Sequence, residues 1–219
     1  MTEDLTDEQW WLPYKDILVP GYLEYIIAES KADLIRSMSF IVPGPLQTEE
    51  YIRAIMRGPL PVNYVDTPLV ELRLKRQWHM FERPQPPRLD IILDETVVHR
   101  QIGGAEVLRG QLKHLLAMSE LSFVTIRIIP FAIDKHFHCF DFMLLDTNTS
   151  TPTGVVYLEG VFEVALERNP LVREYYNGAF TELGFRALSP EDSQKLLHKK
   201  IAELEANMNK KMTWQEKRI

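Results

Sequence analysis

The 219-residue chain reads as an α+β protein, with helical N- and C-terminal parts packed around a small, at least partly antiparallel sheet. Three observations predict this. Apolar residues recur at three- and four-residue spacing in several separated stretches, the mark of helices with one buried side. Short runs at 89–95, 124–128, 140–145 and 155–159 alternate or are continuously apolar, as strands do. The last three runs are joined by short connections, so at least part of the sheet is antiparallel. No glycine-rich phosphate loop follows a first strand, which argues against a dinucleotide-binding unit.

Taken in order, residues 1–10 are polar and acidic and leave little to bury. Trp10, Trp11, Pro13 and Tyr14 form an aromatic cluster suited to docking on the body. Tyr22, Ile26, Ala32 and Ile35 predict a helix over about 22–38. Val42-Pro43-Gly44-Pro45 then forces a turn, because each proline lacks a backbone donor and restricts the residue before it. Thr48 is placed as an N-cap with Glu49 and Glu50 in the first turn, so a second helix leaves toward Met56. Residues 58–61 form a loop by composition.

Pro68 opens the next helix, with Val70, Leu74, Trp78 and Phe81 on one stripe. Leu89, Ile91 and Leu93 face one way along a strand. Gly103-Gly104 is a turn, and Leu108, Leu112, Leu115 and Leu116 carry the helix after it. Two strands flank the Thr/Asn/Ser/Pro loop at 147–154. Helical patterning resumes near Pro170. Ser189-Pro190-Glu191-Asp192 starts the last helix, whose buried stripe is Leu197, Ile201, Leu204 and Met208.

The corner sequence Val-Pro-Gly-Pro-Leu-Gln-Thr-Glu-Glu-Tyr-x-Arg-Ala, over 42–54, resembles the DUF5753 domain, also called Scr1-family antitoxin-like. That domain follows a helix-turn-helix module in many bacterial Xre-type regulators. The similarity continues through Val70-Glu71-x-Arg73-x-x-Arg76-Gln77, Leu93-Asp94-Glu95, Ile102-Gly103-Gly104, Gln111-Leu112-x-x-Leu115-Leu116, Val156-Tyr157-Leu158-Glu159 and Ala187-Leu188-Ser189-Pro190-Glu191. Pro45 departs from the commoner Pro-Gly-Leu-Leu form and stiffens the turn. Asp134-Lys135-His136 and Phe140-Asp141-Phe142 also depart from the family pattern. The resemblance implies residues 1–20 as an arm and 21–219 as one domain. Only about twenty residues precede the match, too few to bury a three-helix reader. The implied role is therefore the sensor or partner-binding half of a regulator, without direct sequence-specific DNA reading.

Composition agrees with a globular chain: 45% hydrophobic and 26% charged, with a formal charge of −6. Seven Lys/Arg against three Asp/Glu from Lys195 onward make the tail basic and the body more acidic. Cys139 is the single cysteine, which excludes an intramolecular disulfide and fits a reducing cytoplasmic setting. The acidic start is unlike a signal peptide, and no run approaches the ~20 apolar residues of a membrane span.

Four groups are candidates for chemistry. Gln47, Thr48, Tyr51 and Arg53 lie at the corner, where capping of free backbone groups is the plainer role. Arg73, Arg76 and Gln77 share a helix side that could clamp a carboxylate or phosphate, or pair with Asp94 or Glu95. Glu95 and Glu159 end strands, where they could hold an amine or hydroxyl, or bridge to an arginine. His136 and His138 would share one face of a strand, but with no third ligand nearby they remain weak metal candidates, and no cofactor is expected. A hollow between the corner and the Arg73–Gln77 helix would use the first two groups together.

Three readings compete on this basis. One is a non-catalytic domain binding a small molecule or small partner protein. Another is an enzyme repurposed from this domain, acting on a small metabolite. The last is an antitoxin-like protein-binding module. Homodimer formation through an apolar helix face is compatible with all three.

Overall fold

The computed structural model describes residues 10–57, 68–133, 141–147, 154–159 and 164–216, with side chains given up to Lys210. The N-terminal aromatic cluster docks as expected. A 3-10 helix over Leu12–Ile17 buries Tyr14, and Trp10 stacks on His79 with ring centroids 4.6 Å apart.

Helix α1 spans Tyr22–Ser30, and strand β1 follows over Leu34–Ser39. This corrects the single helix expected over 22–38. Ile35 points to one face of the sheet and Met38 to the other. Leu34 and Arg36 share the face of Met38, and Ser37 and Ser39 share that of Ile35, so neither face of the strand carries an unbroken apolar run. The polar load of β1 erased the period of two that would have revealed it.

Beyond the corner, α2 covers Glu49–Met56 and α3 Pro68–Phe81. Strand β2 is Arg88–Asp94, followed by the short α4 at Thr96–His99 and α5 at Ala105–Ser119. Strands β3 (Val124–Ile129), β4 (Phe142–Asp146), β5 (Gly154–Glu159) and β6 (Val164–Glu167) complete the sheet. Strand β6 was not foreseen; its four residues are too few to show a period. Helices α6 (Pro170–Arg186) and α7 (Pro190–Glu216) close the chain. Ser189 caps α7, its hydroxyl accepting from Asp192 N at 3.1 Å.

The sheet order is β3-β2-β1-β4-β5-β6. β1 runs parallel to β2, and β2 to β3; the β1–β4, β4–β5 and β5–β6 pairs are antiparallel. The fold is thus α+β with a mixed, mostly antiparallel sheet. β1 sits where the two modes meet.

One sheet face, including Ile35, Leu89, Ile91, Leu93, Ile126 and Leu145, packs under α1, α3, α5 and α7. The other face presents Met38, Ile92, Leu144 and Val156 to Phe180 and Leu183 of α6. The α3 stripe also needs correction. Val70, Leu72, Arg76 and Met80 are its buried residues, whereas Trp78 is 58% exposed. Leaving Arg76 outside the apolar stripe turned the predicted stripe the wrong way around the helix.

Candidate functional site

Two prolines in 43–45 leave the corner with few donors and many carbonyls, and buried carbonyls require partners. Three glutamines supply them. Gln47 Nε2 donates to Val42 O at 2.7 Å, and Gln77 Nε2 donates to Gly44 O at 2.6 Å and to Gln47 O at 2.9 Å. Gln111 Nε2 donates to Leu46 O at 2.7 Å, while its Oε1 accepts from Thr48 N at 2.8 Å. Thr48 caps α2 by accepting from Tyr51 N at 3.3 Å. The corner is therefore held rigidly over the C-terminal end of β1.

Beside it is a hollow of about 130 Å³, walled by the corner, by Tyr22 and Tyr25 of α1 and by Arg73 and Arg76 of α3. Its sheet-side wall is Ser37 and Ser39 of β1 with Met143, Tyr157 and Glu159, and Asp141 adjoins them. Ligands in open sheets with parallel strands are commonly held outside the carboxyl ends of strands, where the strand order switches. The hollow occupies such a place.

Arg76 organises the enclosed end. Its side chain is 5% exposed, and its Nε lies 2.9 Å from Glu29 Oε2, close enough for an ion pair but out of line for a hydrogen bond. Nη1 donates to the Tyr22 hydroxyl in a very short contact. The guanidinium lies 5.1 Å from the Tyr25 ring centroid. Tyr25 in turn donates to Glu29 Oε1 at 2.5 Å. Nη2 rests against Gly44, where an added Cβ would overlap it. Only glycine leaves room for the guanidinium there.

Burial raises the pKa of Glu29, opposed by the Arg76 charge and the Tyr25 hydrogen bond. Burial works against the Arg76 charge too, but Glu29 and the surrounding tyrosines hold its pKa well above the usual value. Burial pushes Tyr25 well up, and Tyr157 up with it, the latter reinforced by Glu159. At the other end, burial raises Asp141; the Phe40 amide, donating to its Oδ1 at 3.0 Å, opposes this, and Glu159 and Asp94 add to it.

Of the residues singled out in the sequence, Gln47, Arg73, Arg76 and Glu159 line the hollow. Arg73 Nη1 donates to Gln47 Oε1 at 3.1 Å, and Glu159 Oε2 accepts from the Tyr157 hydroxyl at 3.0 Å. The others stand elsewhere. Tyr51 is packed in the core, and Arg53 makes an exposed pair with Glu49 at 2.7 Å. Gln77 and Thr48 serve the corner backbone. Glu95 follows β2, accepts from Phe131 N at 2.7 Å and lies 3.1 Å from His99 Nε2. The expected pairing of Arg73 or Arg76 with Asp94 or Glu95 is replaced by Glu29 and Gln47.

His136 and His138 lie outside the described residues, as do the 58–61 and most of the 147–154 loops. Among the described residues no three of His, Cys, Asp and Glu stand close enough to share a metal ion.

Sequence reading missed Tyr22, Tyr25, Glu29, Ser37, Ser39 and Asp141 as site residues. One signal was available: Glu29 falls four residues after Tyr25 and three after Ile26, on the buried stripe of α1. A carboxylate on an apolar stripe needs a buried partner.

A family model described as "Domain of unknown function (DUF5753)" matches residues 22–199. Comparison with curated proteins gives no match, and neither does comparison with solved structures. No helix of the described residues is long and apolar enough to cross a membrane.

Proposed function

The chain belongs to the DUF5753 family, and on that premise we propose that it is a non-catalytic regulatory domain holding a small polar molecule in the hollow beside β1. The observation that carries this reading is Arg76. A buried guanidinium is costly unless its charge and donors are met. Glu29 and Tyr22 meet two sides of it, Nη2 has no hydrogen-bond partner among the described residues, and the residue lines the hollow. A planar fork with unused donors in the wall of a hollow suits an anionic or carbonyl oxygen. The regulatory part of the reading rests on the resemblance to the sensor half of Xre-type regulators, and a cytoplasmic setting on the single cysteine, Cys139.

The test is mass spectrometry of small molecules released from the purified protein. We expect a metabolite recovered chemically unchanged, in about equal amount to the protein, and lost in Gly44→Ala. Re-adding it at a hundredfold excess over its Kd should stabilise the fold by about 2.7 kcal/mol. A converted molecule would favour an enzyme instead. An empty protein with no stabilising metabolite would end the reading.

A second reading, a surface for a partner protein, is favoured by α6. Leu171, Tyr175 and Phe185 are 74%, 58% and 82% exposed and share one stripe, opposite the Phe180 and Leu183 that face the sheet. Large exposed apolar groups in a row mark interaction surfaces. Sedimentation at rising concentration would show self-association that Phe185→Glu abolishes, if the partner is a second copy.

A further inference from the structure

We infer that the molecule held in the hollow is a small zwitterion, its ammonium seated on Asp141 and Glu159 and its carboxylate turned to Arg76. The inference rests on the proposal that the hollow is a binding site, and adds the chemical class of the ligand.

The acidic end is the first ground. Phe142 pairs with Leu158 in the β4–β5 ladder, so the next position sets Asp141 opposite Glu159. Both side chains reach the hollow, on the face shared with Met143 and Tyr157. Like charges directly across two strands destabilise a sheet. Among the described residues nothing relieves this pair. Asp141 takes only the Phe40 amide and Glu159 only the Tyr157 hydroxyl, and no Lys, Arg or His of the described residues forms an ion pair with either. Asp141 is half-buried and Glu159 lies at the exposed mouth of the hollow, and one oxygen of each carboxyl group has no protein partner among the described residues. A cation between them removes the repulsion and fills both.

Arg76 is the second, independent ground. It is more than nine-tenths buried, lines the same hollow, and its Nη2 has no hydrogen-bond partner among the described residues. Ser37 and Ser39 line the hollow too, Ser39 one step beyond the Met38–Phe142 pair and so across from Asp141, and they hydrogen-bond only each other, at 2.9 Å, which leaves one hydroxyl hydrogen without an acceptor among the described residues. Arg76 lacks an acceptor as the two carboxylates lack a cation. Pure cations satisfy one end and pure anions the other, whereas an amino acid satisfies both. Size points the same way. The hollow of about 130 Å³ is smaller than the roughly 300–1,000 Å³ usual for sites of drug-sized ligands, as suits a small molecule.

Isothermal titration with glycine, β-alanine and γ-aminobutyrate, alongside ethylamine and propionate as half-molecules, tests the inference. At least one zwitterion should bind, with each half-molecule tenfold or more weaker. Asp141→Asn and Glu159→Gln should each weaken the zwitterion tenfold or more while leaving the weak propionate binding unchanged. Both variants relieve a repulsion, and their thermal unfolding would confirm that they fold. Propionate binding as tightly as any zwitterion, or unchanged zwitterion affinity in both variants, overturns the inference. A retained metabolite that lacks an amine would overturn it while leaving the binding site standing. An empty protein that binds no zwitterion removes both.

Discussion

Two clusters of arginines and carboxylates, each built on a buried carboxylate (Asp146 in one, Glu29 in the other), lie on opposite faces of the sheet around β1, and they differ in completeness. On the α6 side, Asp146 is fully buried and each of its oxygens takes an arginine, Arg36 and Arg173, both at 2.7 Å. Arg36 also donates to Asn177 at 2.6 Å, and Arg127 pairs with Asp90 at 2.9 Å and donates to Gly184 O at 3.1 Å. Phe180 lies under both Arg36 and Arg127. On the hollow side Glu29 has its arginine, but Asp141 and Glu159 have no cation among the described residues. The first cluster joins α6 to the sheet and serves the scaffold. The second borders the hollow with charges unmatched among the described residues, which is what the proposed ligand would meet.

The sharpest way to test this contrast is to remove a partner on the saturated side. Asp146→Ala leaves two arginines facing each other without their carboxylate. Breaking a buried ion pair in this way costs about 3–5 kcal/mol. Urea denaturation should show that loss, with no change in ligand affinity for the fraction that remains folded.

On the hollow side, Gly44→Ala drives a methyl group into the Arg76 guanidinium. Overpacking of this kind costs about 1–3 kcal/mol. Here the loss of stability should be the smaller and the loss of ligand the larger effect, the reverse of Asp146→Ala. Equal effects on both properties would erase the distinction between the two clusters.

The smallest effect concerns pH. The folded pKa of Asp141 is raised, so between its ordinary value and the raised one the folded state binds more protons than the unfolded state. Stability from this group therefore falls as pH rises through that window. Asp141→Asn removes the penalty. The variant should be the more stable form near neutrality, and the difference should shrink as pH is lowered toward about 4. Glu29 has the same sign but remains in both proteins and cancels from the comparison. Urea midpoints across this range would reveal the convergence; a constant difference would mean that Asp141 is not the titrating group.

Helices with a clean apolar stripe or a cap were legible in the residues. Thr48 and Ser189 marked α2 and α7, and Leu108, Leu112 and Leu115 marked α5. Strands β2 and β3 were legible because their buried faces are uniformly apolar. Strand β1 was not, because it bears Arg36 for one buried cluster and Ser37 and Ser39 for the other. Half of the hollow was in view, through Gln47, Arg73, Arg76 and Glu159. Tyr51 and Gln77 were misplaced, because a corner rich in polar side chains gives no local sign of which of them serve its own backbone.

What the chain determined by itself is the local order: where helices begin and end, where the prolines turn the backbone, and its membership of a family recognisable from spaced short motifs. Those features depend on neighbours a few residues apart. Which charges meet was decided only by the tertiary structure. Glu29 finds Arg76 across 47 positions, and Asp141 faces Glu159 through a strand register, because pairing over such separations is set by packing and ladder alignment rather than by sequence spacing.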